Sequence, residues 1–144
     1  TLARSIQGFD VVAGDRIVLV GSRDLETSEA ILLDEASVRR VATPDQVESA
    51  LPSAAAAYLH FDLDALDPSE AVWNQWSPPR GMTVASVVDS VQAVRRRAPI
   101  CGAGFASYDP EVDRDGRARS AAATILESVL TGTTAPPPDR MAAR

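Results

Sequence analysis

Two carboxylates one residue apart follow an apolar run: Ala56-Ala-Tyr-Leu leads into His60-Phe-Asp-Leu-Asp-Ala-Leu-Asp-Pro68. Side chains alternate across a strand, so residues 60, 62 and 64 are expected on one face and Phe61 and Leu63 on the other. Carboxylates held together repel each other, and a divalent cation relieves that repulsion. Oxygen donors, alone or with an imidazole, suit Mg²⁺ or Mn²⁺ better than a thiol-loving metal. The plainer reading is a pair of solvated acids at a strand end, or acids capping the next loop.

Other residues carry weaker signals. His60 shares the expected face of Asp62 and Asp64, which makes it a ligand or a hydrogen-bonded partner of a carboxylate. The commoner outcome for such a residue is a neutral histidine of the core, and that is the expectation here. Cys101 is the only cysteine, which excludes an internal disulfide and any multi-cysteine zinc site. Flanked by Ile100 and Gly102, it reads as an inert apolar filler of a buried strand. Arg95-Arg-Arg97 reads as a solvated helix terminus whose charge complements the dipole. Trp73 and Trp76 are either an apolar pocket wall or plain packing over the sheet end.

The elements that must hold these residues alternate. Arg16–Gly21, Val38–Val41, Ala55–Phe61 and Pro99–Ala106 are short apolar segments expected as strands. Between and after them, Asp24–Leu33, Pro44–Leu51, Thr83–Arg97 and Ala118–Leu130 are expected as helices. Thr43 is an N-cap candidate with Pro44 at the first helical position. Val84, Val87, Val88, Val91 and Val94 recur at helical spacing. Strand then helix, four times over, predicts an α/β fold with a mostly parallel sheet. The carboxylates then lie at the strand end where open α/β sheets bind ligands. Residues 132–144, with three consecutive prolines, are expected as a flexible tail.

Composition narrows the class. The 144 residues carry 14 basic side chains, all arginine, against 20 acidic ones, a formal net charge of −6. An acidic chain makes nucleic acid or an anionic membrane an unsuitable partner. No apolar run reaches the ~18 residues of a membrane span, and the N-terminus lacks a signal-peptide core. The expectation is a soluble cytoplasmic domain. The first residue is Thr1 and the methionines are Met82 and Met141, so residues upstream are expected to be missing.

Asp-x-Asp alone also occurs in aspartyl phosphatases and in sugar-nucleotide transferases. The former follow the motif with a small residue and threonine, where Ala65-Leu66 stand here. The latter lack support without a glycine-rich phosphate loop. The longer string, Phe61-Asp-Leu-Asp-Ala-Leu-Asp-Pro68 with Gly81-Met-Thr83 at a helix start, resembles the arginase/agmatinase (ureohydrolase) family. Val20-Gly-Ser-Arg-Asp24, Ala106-Ser-Tyr-Asp-Pro110 with Asp113, and the helix ending at Leu130 follow in the family's order. The resemblance covers residues 15 to 131 and implies about half of a three-layer αβα fold, arginase/deacetylase-like. It also implies a site with two Mn²⁺ ions that activate water for attack on a guanidino or amidino carbon. Asp62 and Asp64 take the places of metal ligands. Glu26, Glu29 and Ser107 take substrate-side places, and Asp67 fixes the turn or supports a ligand.

Departures from the family pattern shape the remaining expectations. The family's Gly-Gly-x-His and Asp-Ala-His-x-Asp segments are absent, and His60 is the one histidine. Ser107 stands where the family carries a glutamate that pairs with the substrate guanidinium, so a charge-assisted contact is lost. Trp76 replaces a small residue. The sequence thus predicts the C-terminal portion of a manganese hydrolase of C–N bonds, acting on a small molecule. Its expected partners are copies of itself, in a homo-oligomer, or a complementary N-terminal half. The rival is a catalytically inactive or altered binding or assembly subunit on the same fold.

Overall fold

A computed structural model describes residues 7–8, 10–54 and 56–131. The expected tail, 132–144, lies outside the described residues. Strands β1 (Val18–Val20), β2 (Arg39–Val41), β3 (Ala57–Asp62) and β4 (Ile100–Ala106) alternate with four helices. These are α1 (Thr27–Glu35), α2 (Pro44–Ala50), α3 (Val84–Arg97) and α4 (Arg117–Leu130). The alternation matches the sequence reading, and every strand pairing is parallel. No described helix is long and apolar enough to cross a membrane.

Local chemistry sets the helix starts. Thr43 and Gln46 form a capping box with Pro44 at the first helical turn of α2, which satisfies donors a helix start leaves unpaired. Thr83 Oγ1 accepts from the Ser86 amide at 3.0 Å and opens α3. The first helix begins three residues later than the sequence suggests, because Glu26 and Glu29 form its capping box. Ile31 and Leu32 of α1 are 53% and 64% exposed.

Two apolar clusters hold the molecule. Leu63, Leu66, Trp73, Val87, Ala118 and Ile125 join the loop after β3 to α3 and α4. Val47, Ala93 and Val94 bring α2 and α3 against Val20, Val41, Leu59 and Ile100, so one cluster touches all four strands. Full burial of a side chain such as Val47 or Leu63 contributes about 1.5–3 kcal/mol, and the second cluster holds α2 and α3 against the strands.

The strands do not form one continuous sheet. β1 pairs with β2 and β3 pairs with β4, as two separate two-stranded units. Three further expectations fail. Cys101 is exposed, its thiol 3.3 Å from the Ala57 carbonyl oxygen. His60 is exposed, its imidazole without a hydrogen bond among the described residues, and it is not a core histidine. Both belong to the β3–β4 pair, which is not covered throughout: every second residue of β3 is exposed, and in β4 Cys101 and Phe105 are. Arg95 is not a purely solvated terminus either. Its Nη1 donates to the Ser128 carbonyl at 2.7 Å, tying α3 to the end of α4, while Arg96 pairs with Glu48 at 2.8 Å.

Candidate functional site

The strand alternation holds as far as Asp62 and then stops. Asp62 Oδ1 accepts the Asp64 amide at 3.0 Å, and Leu63–Ala65 curl into a 3₁₀ turn. Short carboxylates commonly redirect backbone in this way. Asp64 therefore stands in the turn, not on the strand as expected. Its Oδ1 accepts from Asn74 Nδ2 at 2.7 Å and lies 3.4 Å from the Ser77 hydroxyl. In each aspartate Oδ1 is the oxygen engaged, and Oδ2 accepts no hydrogen bond among the described residues. One oxygen thus orients the carboxylate while the other remains available.

Asn74 was not singled out by the motif reading, yet it joins two sides of the site. The same Nδ2 that reaches Asp64 donates to the Ser107 carbonyl at 3.0 Å, and Asn74 Oδ1 accepts the Trp76 amide at 2.7 Å. Ser107 ends β4 in a left-handed conformation, φ 67°, and Asp24 after β1 has φ 58°. Non-glycine residues held in that region cost on the order of 1–3 kcal/mol and gather at functional sites. The two tryptophans divide: Trp73 is fully buried in the core, and Trp76 is 77% exposed.

Arg23 was also missed. From the loop after β1 its guanidinium donates to the carbonyls of Asp64, Ala65 at 3.1 Å and Pro78 at 2.9 Å. It ties β1's C-terminal end to the turn that carries Asp64. The only sequence signal was its place in Val20-Gly-Ser-Arg-Asp24. Arg23→Ala is expected to cost roughly 1.5–3 kcal/mol, as for hydrogen bonds to a charged group. Urea denaturation measures that loss, and Arg23→Lys should recover only part of it, because an ammonium lacks the planar fork.

Asp67 fixes the following turn. Its Oδ1 accepts from the Ser69 hydroxyl and amide, and its Oδ2 accepts the Gly81 amide at 2.9 Å. The Ser69 hydroxyl above all, with these amides, lowers the Asp67 carboxyl from 3.8 to about 2, against an opposing desolvation. A depressed folded-state pKa stabilises fully above the unfolded value and is lost as pH falls through the folded one. Stability should therefore decline as pH drops from about 3.8 towards 2. Asp67→Asn should flatten that part of a plot of denaturation midpoint against pH.

Glu26 and Glu29 stand at the start of α1, where the Glu26 amide donates to Glu29 Oε2 at 2.9 Å. Neither is hydrogen-bonded to the Asp64 turn. Beyond Ser107, Tyr108 donates to Asp113 Oδ2 at 3.0 Å, and Asp113 accepts the amides of Ala118 and Arg119. Desolvation pushes Asp113 up, but these donors outweigh it and hold the carboxyl below its ordinary value.

The donors available suit an oxygen-loving divalent metal in kind. In number they fall short: among the described residues no group of three or more His, Cys, Asp or Glu side chains converges on a metal position. Such ions take about six ligands. Asp62 and Asp64 alone do not make a complete metal site.

Comparison with known proteins agrees with this reading of a partial fold. The chain resembles the arginase of Bacillus caldovelox, with TM-score 0.73 and 21% identity over 82% of this chain and 44% of that one. The formimidoylglutamase of Bacillus subtilis gives TM-score 0.74 at 19% identity, over 86% and 43%. The architecture is thus part of the arginase α/β fold. Residues 1–132 match the Arginase family, and the chain belongs to it. An N(omega)-hydroxy-L-arginine amidinohydrolase of Streptomyces lavendulae is 32% identical over 133 residues, 90% of this chain and 46% of the relative. The chain spans about half the length of the curated relative it matches.

Proposed function

We propose that this chain is one half of a metal-dependent hydrolase that cleaves a C–N bond in a guanidino- or amidino-type small molecule. Asp62 and Asp64 supply two ligands to a binuclear manganese site, and the remaining ligands come from outside these residues. The observation that carries the reading is the pair of carboxylates at the end of β3, each oriented through Oδ1 with Oδ2 left available. When bound, such ions lower the pKa of a coordinated water and polarise the substrate. The chain's own contribution is to hold the ligands: Asn74 and Ser77 orient Asp64, and Arg23 fixes the backbone behind it. His60 and Asp67 stand close in sequence as supporting residues, and Glu26, Glu29 and Ser107 are the substrate-side candidates. The setting is a cytoplasmic homo-oligomer or a pairing with a complementary half.

Ser107 and the exposed Trp76 favour a second reading, an inactive or altered subunit that retains the fold for binding or assembly. A screen of guanidino compounds for urea release decides between them. It uses this chain assembled with a complementary arginase-family half in Mn²⁺. Turnover abolished by Asp62→Asn supports the hydrolase. Manganese binding without turnover of any amidino compound supports the subunit.

A further inference from the structure

A cleft of about 690 Å³ opens at the C-terminal ends of β1 and β2, where residues 21–23 and 41–43 meet residues 80–83 ahead of α3. Arg23, Arg40 and Arg80 line it, and no aspartate or glutamate does. That concentration of positive charge runs against the chain's formal net charge of −6. The three cations are not equally satisfied. Arg40 pairs with Asp34 at 2.6 Å. Arg23 is partly buried, donates only to backbone carbonyls, and has its Nε buried without a partner among the described residues. Arg80 is exposed and makes no ion pair among the described residues. Carbonyl dipoles offset part of a shielded guanidinium's charge, but an ion taken out of water remains costly until a counter-charge meets it. The two unpaired cations stand on one rim. Arg23 Nη2 donates to the Pro78 carbonyl at 2.9 Å, two residues before Arg80. The Gly81 amide, donating to Asp67 Oδ2 at 2.9 Å, holds the segment that carries Arg80.

We infer that this cleft binds a phosphate-type dianion, free or as a monoester, between Arg23 and Arg80. Charge selects the class. Two unpaired guanidinium groups balance two negative charges, whereas a single carboxylate would leave one cation over. Geometry agrees, because the planar fork of a guanidinium matches phosphate oxygens pairwise. The exposed hydroxyl of Ser22, also on the lining, adds a neutral donor. The same arginines repel a cation, so neither a metal ion nor an amidinium compound is the occupant. The inference rests on the arginines of this chain and needs neither metal nor turnover.

The test is titration calorimetry of this chain with inorganic phosphate, at fixed ionic strength and at a pH where phosphate is a dianion. One phosphate per chain is expected, with a dissociation constant of roughly a millimolar or tighter. Arg80→Gln, at an exposed position, should keep its circular dichroism and weaken binding by roughly tenfold or more, as for one lost charge-assisted contact. Arg114 is exposed and outside the cleft. Arg114→Gln removes the same charge and should change binding by less than about twofold, since salt screens distant surface charges. Acetate at equal ionic strength should not displace phosphate. The unsubstituted chain gives a second readout, which decides if Arg80→Gln unfolds. Phosphate should shift the Nε–H resonances of Arg23 and Arg80 and leave that of Arg114 in place. Absence of saturable binding, equal weakening by Arg80→Gln and Arg114→Gln, displacement by acetate, or resonance shifts that spare Arg23 and Arg80 each overturn the inference. Phenyl phosphate separates the two sources: binding at least as tight as that of phosphate assigns the cleft to a monoester, and weaker binding assigns it to the free ion.

Discussion

Trp73→Ala is expected to destabilise the chain by about 3–5 kcal/mol, the range for truncating a buried tryptophan. Trp73 has no exposed surface and packs with Leu63, Leu66 and Ile125. Its carbonyl also accepts the Asp109 amide at 2.9 Å, which joins the loop after β3 to the loop after β4. Loss of the indole leaves a cavity in the cluster that holds Leu63 and Leu66. The indole Nε1 is buried without a partner among the described residues. Trp73→Phe should therefore recover most of the loss, since it fills much of the space and removes the unpaired donor. Urea denaturation at a constant slope separates the two variants. Equal midpoints for Trp73→Ala and wild type would contradict this packing.

Gly81→Ala is expected to cost at least as much as a typical overpacked core substitution, roughly 3 kcal/mol. A Cβ at Gly81 would lie 2.3 Å from the Leu66 carbonyl carbon and 2.4 Å from the Asp67 nitrogen. Both neighbours are backbone, so neither can swing aside as a side chain would. The substitution must part the bridge between Leu66 and Met82, and with it the Gly81 amide's bond to Asp67. Since this bridge follows the Asp64 turn by two residues, the effect should extend beyond stability. Asp67 should lose part of its acid-side contribution, and the denaturation midpoint of Gly81→Ala should change less between neutral and acid pH. A variant with wild-type stability and wild-type pH dependence would refute the close approach.

The alternating order of strands and helices was readable because each element signals itself locally. Thr43 with Pro44, Thr83 with Ser86 and the valines of α3 act within a few residues. The aspartate string was readable as a motif for the same reason. What the sequence concealed was long-range. Arg23 acts on carbonyls 41 to 55 residues away, and Asn74 joins Asp64 to a carbonyl 33 residues on. Hydrophobicity alone made Cys101 a buried filler, but burial of a strand depends on what covers it. Alternation placed Asp64 on the strand face, whereas the Asp62 side chain bonding the Asp64 amide ends the strand first. No local pattern could announce that β1 and β3 would stand apart with a groove between them.

Manganese titration calorimetry tests the central claim most directly. It compares this chain alone, the chain assembled with a complementary arginase-family half, and the same assembly carrying Asp62→Ala and Asp64→Ala. The account predicts weak binding to the chain alone and micromolar or tighter binding to the assembly. It also predicts a loss on the order of 100-fold or more in the double variant, at least as large as losing a residue that merely supports a ligand. Tight binding that survives the double substitution, or an assembled complex that binds no manganese, would contradict it.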